Sequence, residues 1–412
     1  MNDLESIQYA LDTFYLSISS VLVMWMAAGF AMLEAGFVRA KNTAEILTKN
    51  VLLYAVASVT FALVSYPLIF GENNIGALLN RFLIFDNFTT RETAAVTTSQ
   101  VSQLAQIFHH MVFAATAISI VSGAVAERMR LWSFLFFAAL FVPLIYPVSG
   151  WLVWGGGWLA AAGFRDYAGA GVVHLAGAGA ALAGVLLLGA RRGKYSEQSG
   201  RVNPIVGANL PLAVLGVFIL WMGWFGFNGG AALQISDVDR ADTLARVLLN
   251  TNLAAAAGVV VVAIATRLFF GFAELTLILN GALAGLVAIT ADPVTPSLGW
   301  ALFIGAGGAL VGCGVILSLE MLRVDDPVGA IGVHGGAAVW GLLLAGLAPG
   351  GASLVTQALG IAVIFGLTFT TSLVMWGVVA LILGLRIAPN DEMEGLDLVE
   401  CGLEAYPEFV DR

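Results

Sequence analysis

Long apolar runs separated by short polar stretches recur along all 412 residues of the chain. A helix needs about 20 residues to cross a hydrocarbon core. On that scale eleven spans are predicted, at 10–37, 44–70, 100–125, 131–154, 170–190, 206–229, 243–267, 271–291, 297–321, 331–349 and 354–386. The basic residues are divided unevenly among the connections. Twelve lie on one side, among them Arg39, Lys41, Arg128, Arg191, Arg323 and Arg386, and only Arg81, Arg91, Arg165, Arg240 and Arg246 on the other. Because basic loops stay inside, the N-terminus is expected outside and the C-terminus in the cytoplasm. An odd number of spans also puts the two ends on opposite sides.

Composition agrees with that pattern. Apolar residues make up 59% and charged residues 11%, against about 45–50% and 25% in soluble domains, and the mean hydropathy is +0.91. The reading is an all-α polytopic membrane protein. Its net charge of −9 gives no reason to expect a nucleic-acid partner. Cys313 and Cys401 make no disulfide framework and lack metal-ligand spacing, so neither a metal nor a cofactor is expected. The first apolar run reads as a retained span rather than a cleaved signal. The triplet Asn87-Phe88-Thr89 is a chance sequon more often than a glycan site. Glycine and alanine recur as in 176–184 (AGAGAALAG), a composition that lets helices approach closely in lipid.

One phrase occurs twice. Residues 166–174 read DYAGAGVVH and 326–334 read DPVGAIGVH, so His174 opens the fifth predicted span and His334 the tenth. Two repeats of five spans follow, about 10–190 and 206–349, with an extra helix at about 354–386 and a polar tail at 387–412. Five spans per repeat turn the second unit upside down relative to the first, a known transporter plan with its site near the midplane. A titratable ring inside a membrane is costly to keep and marks a functional site by default. From opposite faces, His174 and His334 can meet near the centre. Each neutral imidazole offers one donor and one acceptor, so two rings can satisfy one another and still face a small polar molecule. Two independent helix-end histidines remain the bland alternative.

Other residues carry weaker signals. Asp166 stands at the outer mouth, where it could attract a cation or cap the fifth helix through backbone N–H groups. Asp326 has the same ambiguity, and the Asp325-Asp326-Pro327 turn reads mainly as architecture. Trp154, in WLVWGGGW (151–158), offers an indole face beside glycines; such a face attracts cations by roughly 0.5–2 kcal/mol. His109 shares a helical face with Phe113 near the outer mouth, as a protonatable group or merely a wetted side chain. The acids Glu34, Glu274 and Glu320 fall near predicted inner ends and read as interface or packing groups.

Together these residues resemble the ammonium transporter (Amt/Mep/Rh) family, from AGFVRAKN (35–42) and GAVAER (123–128) to WFGFN (224–228), both histidine phrases and EGLD (394–397). The resemblance implies a homotrimer in the cell (inner) membrane with one narrow apolar pore per subunit, and no enzyme. It matches the family's twin histidines to His174 and His334 and its outer phenylalanine gate to Phe113 and Phe227. The external ammonium site matches Trp154, supported by Asp166, and Trp224 would line the inner pore. Two positions depart from the pattern: Ala231 stands where a serine hydroxyl is usual, and His109 where an aromatic is. The tail departs too, with CGLEAY (401–406), in a region that commonly meets PII-type signalling proteins.

Ammonium and potassium ions are similar in size, so selectivity must use chemistry. A dry constriction makes a bare ion costly by several kcal/mol or more, whereas ammonia passes cheaply. The expectation is recruitment outside, deprotonation below Phe113 and Phe227, passage by the histidines, and reprotonation inside. An ammonium receptor signalling to a cytoplasmic partner is the competing reading; no kinase-like segment is expected in the tail. An unrelated channel or symporter would need midplane carboxylates.

Overall fold

The computed structural model describes residues 3–71, 101–196, 198–348 and 353–409. Within them, nine helices are long and apolar enough to cross a membrane. They are α1 (Asp3–Phe37), α2 (Ala40–Phe70), α3 (Gln103–Ala124), α4 (Leu131–Ala161), α5 (Ala170–Leu188), α6 (Leu210–Gly230), α7 (Val238–Phe270), α9 (Leu298–Met321) and α11 (Leu354–Leu383). Two shorter apolar helices, α8 (Leu275–Thr290) and α10 (Ile331–Ala345), fall where the eighth and tenth spans are predicted. Arg81, Arg91 and the triplet Asn87-Phe88-Thr89 lie outside the described residues.

Helix α1 begins seven residues before the apolar pattern does. Asp3 and Glu5 occupy its first turn, where carboxylates favour the positive end of the helix dipole. The buried Asp12 then accepts the backbone N–H of Ile235 at 2.6 Å and the Ser236 hydroxyl at 2.8 Å. A hydropathy pattern is blind to both effects.

The two halves touch most intimately where side chains are smallest. Helix α1 lies along α6, and a Cβ on Gly36 would sit 2.5 Å from the Ala213 nitrogen, one on Gly216 2.4 Å from the Leu33 nitrogen. Without apolar contrast between lipid and helix, such close backbone approach supplies much of the association. Burial sorts the rest: 83% of the α5 window is buried against 22% for α11. Helix α5 is therefore central and α11 peripheral, joined by the Trp376 indole N–H donating to the Ala180 carbonyl at 3.2 Å.

Both α5 and α10 open with a π-helical stretch, Ala170–Leu175 and Ile331–Gly336, that contains the histidine. Each stretch follows a glycine in the left-handed region, Gly169 at φ +98° and Gly329 at φ +78°, which a side chain would strain. Each is also held by the aspartate of the repeated phrase. Asp166 accepts N–H bonds from Gly169, Gly171 and Val172 at 2.9–3.1 Å. Asp326 accepts them from Gly329 and Ile331 at 3.1 and 2.7 Å. Of the two roles open to these aspartates, capping is the one the geometry displays.

The preceding Asp325 does something different. It takes a two-oxygen grip on Arg191 at 2.8 and 2.9 Å, and Arg191 also reaches Glu127 at 3.0 Å, which pairs with Arg39 at 2.9 Å. Arg128, fully buried, donates to the carbonyls of Ala124, Ala126, Gly189 and Asp325. This network ties the ends of α1, α3 and α5 to the loop before α10. Burial pushes the Asp325 carboxyl up, but Arg191 and Arg128 outweigh it and leave the group well below the usual carboxylate range. The tail docks beside it: Glu392 pairs with Arg386 at 2.7 Å, and Asp397 accepts the Glu45 N–H at 2.9 Å.

Removing one partner of such a buried pair costs about 3–5 kcal/mol, because the other charge is left uncompensated. Asp325→Asn is thus expected to lower the unfolding free energy in detergent by about that amount at neutral pH. The carboxyl is depressed in the folded state, so its contribution is present above the unfolded value of about 3.9 and is lost as pH falls below it. Denaturation curves of variant and wild type should converge only in that acid range.

Candidate functional site

The two histidines of the repeated phrase meet. Nδ1 of His334 lies 3.2 Å from Nδ1 of His174, and the rings are 5.1 Å apart between centroids, tilted by 16°. Both are buried. A hydrogen bond between two Nδ1 atoms needs one protonated and one bare nitrogen, so the pair must be asymmetric. Its remaining nitrogens are then one donor and one acceptor. Nε2 of His174 has no hydrogen-bond partner among the described residues.

A row of rings continues from this pair in both directions. His174 lies 5.3 Å from Phe227, and Phe227 stacks on Phe113 at 3.9 Å with 8° between the planes. Phe113 is followed by Trp154 at 6.0 Å, edge to face. On the other side, His334 lies 6.1 Å from Phe30. Trp224 packs against His174 at 5.1 Å and 16°, its indole N–H fixed by the Thr290 hydroxyl at 2.8 Å. Trp224 therefore flanks His174. Phe113, Phe227 and Trp224 are all buried.

Trp154 and Asp166 are coupled through backbone, not through the carboxylate. The Trp154 indole N–H donates to the Asp166 main-chain carbonyl at 3.2 Å, leaving both carboxylate oxygens to the α5 cap. Burial pushes the Asp166 carboxyl up to about 6, against the pull of the N–H groups it accepts.

His109 is buried rather than wetted. Ser20 gives its hydroxyl proton to the Leu16 carbonyl at 2.6 Å, so across the 3.2 Å contact to His109 its oxygen accepts, and Nδ1 of His109 donates. Nε2 is then a bare acceptor, and it has no partner among the described residues. The ring lies 4.5 Å from Phe113 and against Gly230, whose Cβ would come within 2.5 Å of it. Ala231 follows Gly230 at the end of α6. His110 donates from Nδ1 to the Gln106 carbonyl at 2.9 Å and lies 5.8 Å from Trp154. Among the described residues, no three His, Cys, Asp or Glu side chains gather as a metal would require.

Sequence spacing does not reveal which polar groups lock these rings. Ser20, Thr290 and the Thr251 hydroxyl that holds the Asn228 amide at 3.0 Å come from distant helices. Their only signal is a hydroxyl within an apolar run, and apolar runs contain many.

A buried lane of aromatic and imidazole rings, set beside two matching histidine phrases in a helical bundle, defines a polytopic membrane protein with a narrow, largely apolar centre. A sequence model of the Ammonium Transporter Family matches residues 14–406. The chain belongs to that family. It is 38% identical over 438 residues to the ammonium transporter Amt2 of Archaeoglobus fulgidus, covering 98% of this chain and 90% of that one. Among solved structures, one named Sensor Amt Protein superposes with a TM-score of 0.88 at 33% identity, over 96% of this chain and 99% of the other. Mep2 of Candida albicans gives 0.84 at 26% identity, over 99% and 94%.

The repeated aspartate cap yields a direct test. Asp166→Asn keeps the shape but leaves a single acceptor oxygen for three N–H groups, and each bond to a charged acceptor contributes roughly 1.5–3 kcal/mol. Amide hydrogen exchange at residues 169–174 should accelerate selectively, while exchange at 329–334 stays as in wild type. Asp326→Asn should produce the reverse pattern.

Proposed function

We propose that this chain carries ammonium across a cell membrane, admitting the nitrogen to the dry lane as ammonia. The observation that carries the proposal is the contact of His174 with His334 behind the stacked Phe113 and Phe227. In this reading α8 and α10 also cross the membrane, making eleven spans as an inverted pair of five-helix repeats plus α11. The N-terminus faces outward, the tail inward, and three copies assemble, each with its own pore. Residues 1–386 form the membrane domain and 387–412 the cytoplasmic tail, where a PII-type protein or another regulator would dock.

The chemistry follows from cost. A bare monovalent cation loses its hydration between Phe113 and Phe227, at several kcal/mol or more, and those rings offer no oxygen in exchange. Ammonium can avoid that cost by leaving its proton outside; potassium cannot. The Trp154 indole face recruits the cation, with Asp166 holding the surrounding turn. At Ala231 no hydroxyl is available, and the bare Nε2 of His109 accepts an N–H of the ion instead. Beyond the gate, the asymmetric histidine pair offers ammonia one donor and one acceptor, so its lone pair and its hydrogens both find partners. Trp224 seals the lane beside His174.

A receptor is the second reading, supported by the likeness to Sensor Amt Protein and by the altered outer site. It predicts tight ammonium binding with no flux.

Purified protein in liposomes tests the first reading. Ammonium should elicit transport and potassium should not. His174→Ala should cut ammonium flux per molecule by about tenfold or more, or change its charge coupling, while protein yield stays near wild type. Equal currents for the two ions would contradict deprotonation.

A further inference from the structure

A buried carboxylate lies on the far side of the histidine pair from the ring stack. Glu34 of α1 is only 1% exposed, and it borders a small cavity shared with His334, Phe30, Ser119 and Asn280. The cavity has room for roughly one water-sized molecule, which is also the size of ammonia. His334 lines it; His174, Phe113 and Phe227 do not.

The two oxygens of Glu34 are treated differently. Oε2 accepts both the Ser122 hydroxyl at 2.8 Å and the Asn50 amide at 3.0 Å. Oε1 has no partner among the described residues. A carboxyl whose one oxygen already accepts two bonds carries its proton on the other. Oε1 is thus a buried oxygen without a partner on a side chain that borders the cavity. Buried unsatisfied groups are uncommon enough to call for an explanation.

We infer that Glu34 is the inner proton-exchange group of the pore, giving its Oε1 proton to ammonia as it leaves His334. This rests on the transport reading above and adds a residue to it. In the step, the nitrogen lone pair forms a new N–H bond, the Glu34 O–H bond breaks, and ammonium departs inward. The carboxylate then recovers a proton from hydronium on the inner side, so charge is balanced in each turnover. The other ionisable groups of the neighbourhood are His334 across the cavity, and Lys49 and Glu45 on α2, which pair with each other at 3.6 Å.

Ammonium uptake by liposomes containing wild type, Glu34→Gln or Glu34→Asp tests the assignment. Glu34→Gln keeps the acceptor for Ser122 and Asn50 but has no exchangeable acid, and should slow uptake by about tenfold or more. Glu34→Asp retains a carboxyl and should stay within about threefold of wild type, as a displaced acid still transfers protons. Uptake by Glu34→Gln equal to wild type, or equal loss in both variants, would overturn the assignment. If Glu34→Gln does not fold, Glu34→Ala takes its place: formate in the buffer should restore its flux, and failure to do so would also overturn it. A wild type without ammonium flux would instead refute the transport reading itself.

Discussion

The hydrogen bond between His174 and His334 organises this molecule. Two imidazoles in an apolar interior can satisfy each other when they meet as one donor and one acceptor. Here the two rings come from chain segments that carry the same phrase. The repeated aspartate, the left-handed glycine and the π-helical opening each serve that meeting. Gly169 and Gly329 turn the chain sharply into the helix, Asp166 and Asp326 hold the exposed N–H groups, and the wider π turn presents the ring. Rings of Phe227 and Trp224 then pack against His174, with Phe113 stacked on Phe227.

Holding such a centre rigid places demands on the rest of the bundle. Several buried ion pairs cluster at one place, where Arg191 bridges Glu127 and Asp325 and so ties the end of α3 to the loop before α10. Glycine contacts between α1 and α6 bring the two halves together along their length. The tail is part of the same construction, since Glu392 accepts the N–H of Arg192 in a loop and Asp397 that of Glu45 near the start of α2.

Much of this was legible in the chain because membrane physics writes itself into long patterns. The long apolar helices follow from run length, and the meeting of the histidines from one phrase repeated 160 residues later. The ends of helices did not follow, as the start of α1 shows: its first turn is polar, with Asp3 and Glu5, and two turns later Asp12 reaches a loop more than 220 residues away. The same limit hid the tautomer of His109, which depends on where Ser20 sends its proton, and the place of Trp224, which depends on Thr290. Glu34 was legible only as an interface or packing group. Near a helix end a carboxylate resembles an interface group, and only the cavity beside His334 and its unshared oxygen give it another meaning.

The most direct test of the central claim is solid-state nitrogen NMR of the protein in lipid, with labelled histidine and single His174→Gln and His334→Gln variants for assignment. The account predicts one protonated and one bare Nδ1 in the wild type, coupled through a shared hydrogen bond that disappears in either variant. Two Nδ1 atoms in the same protonation state, with no coupling between the rings, would contradict it.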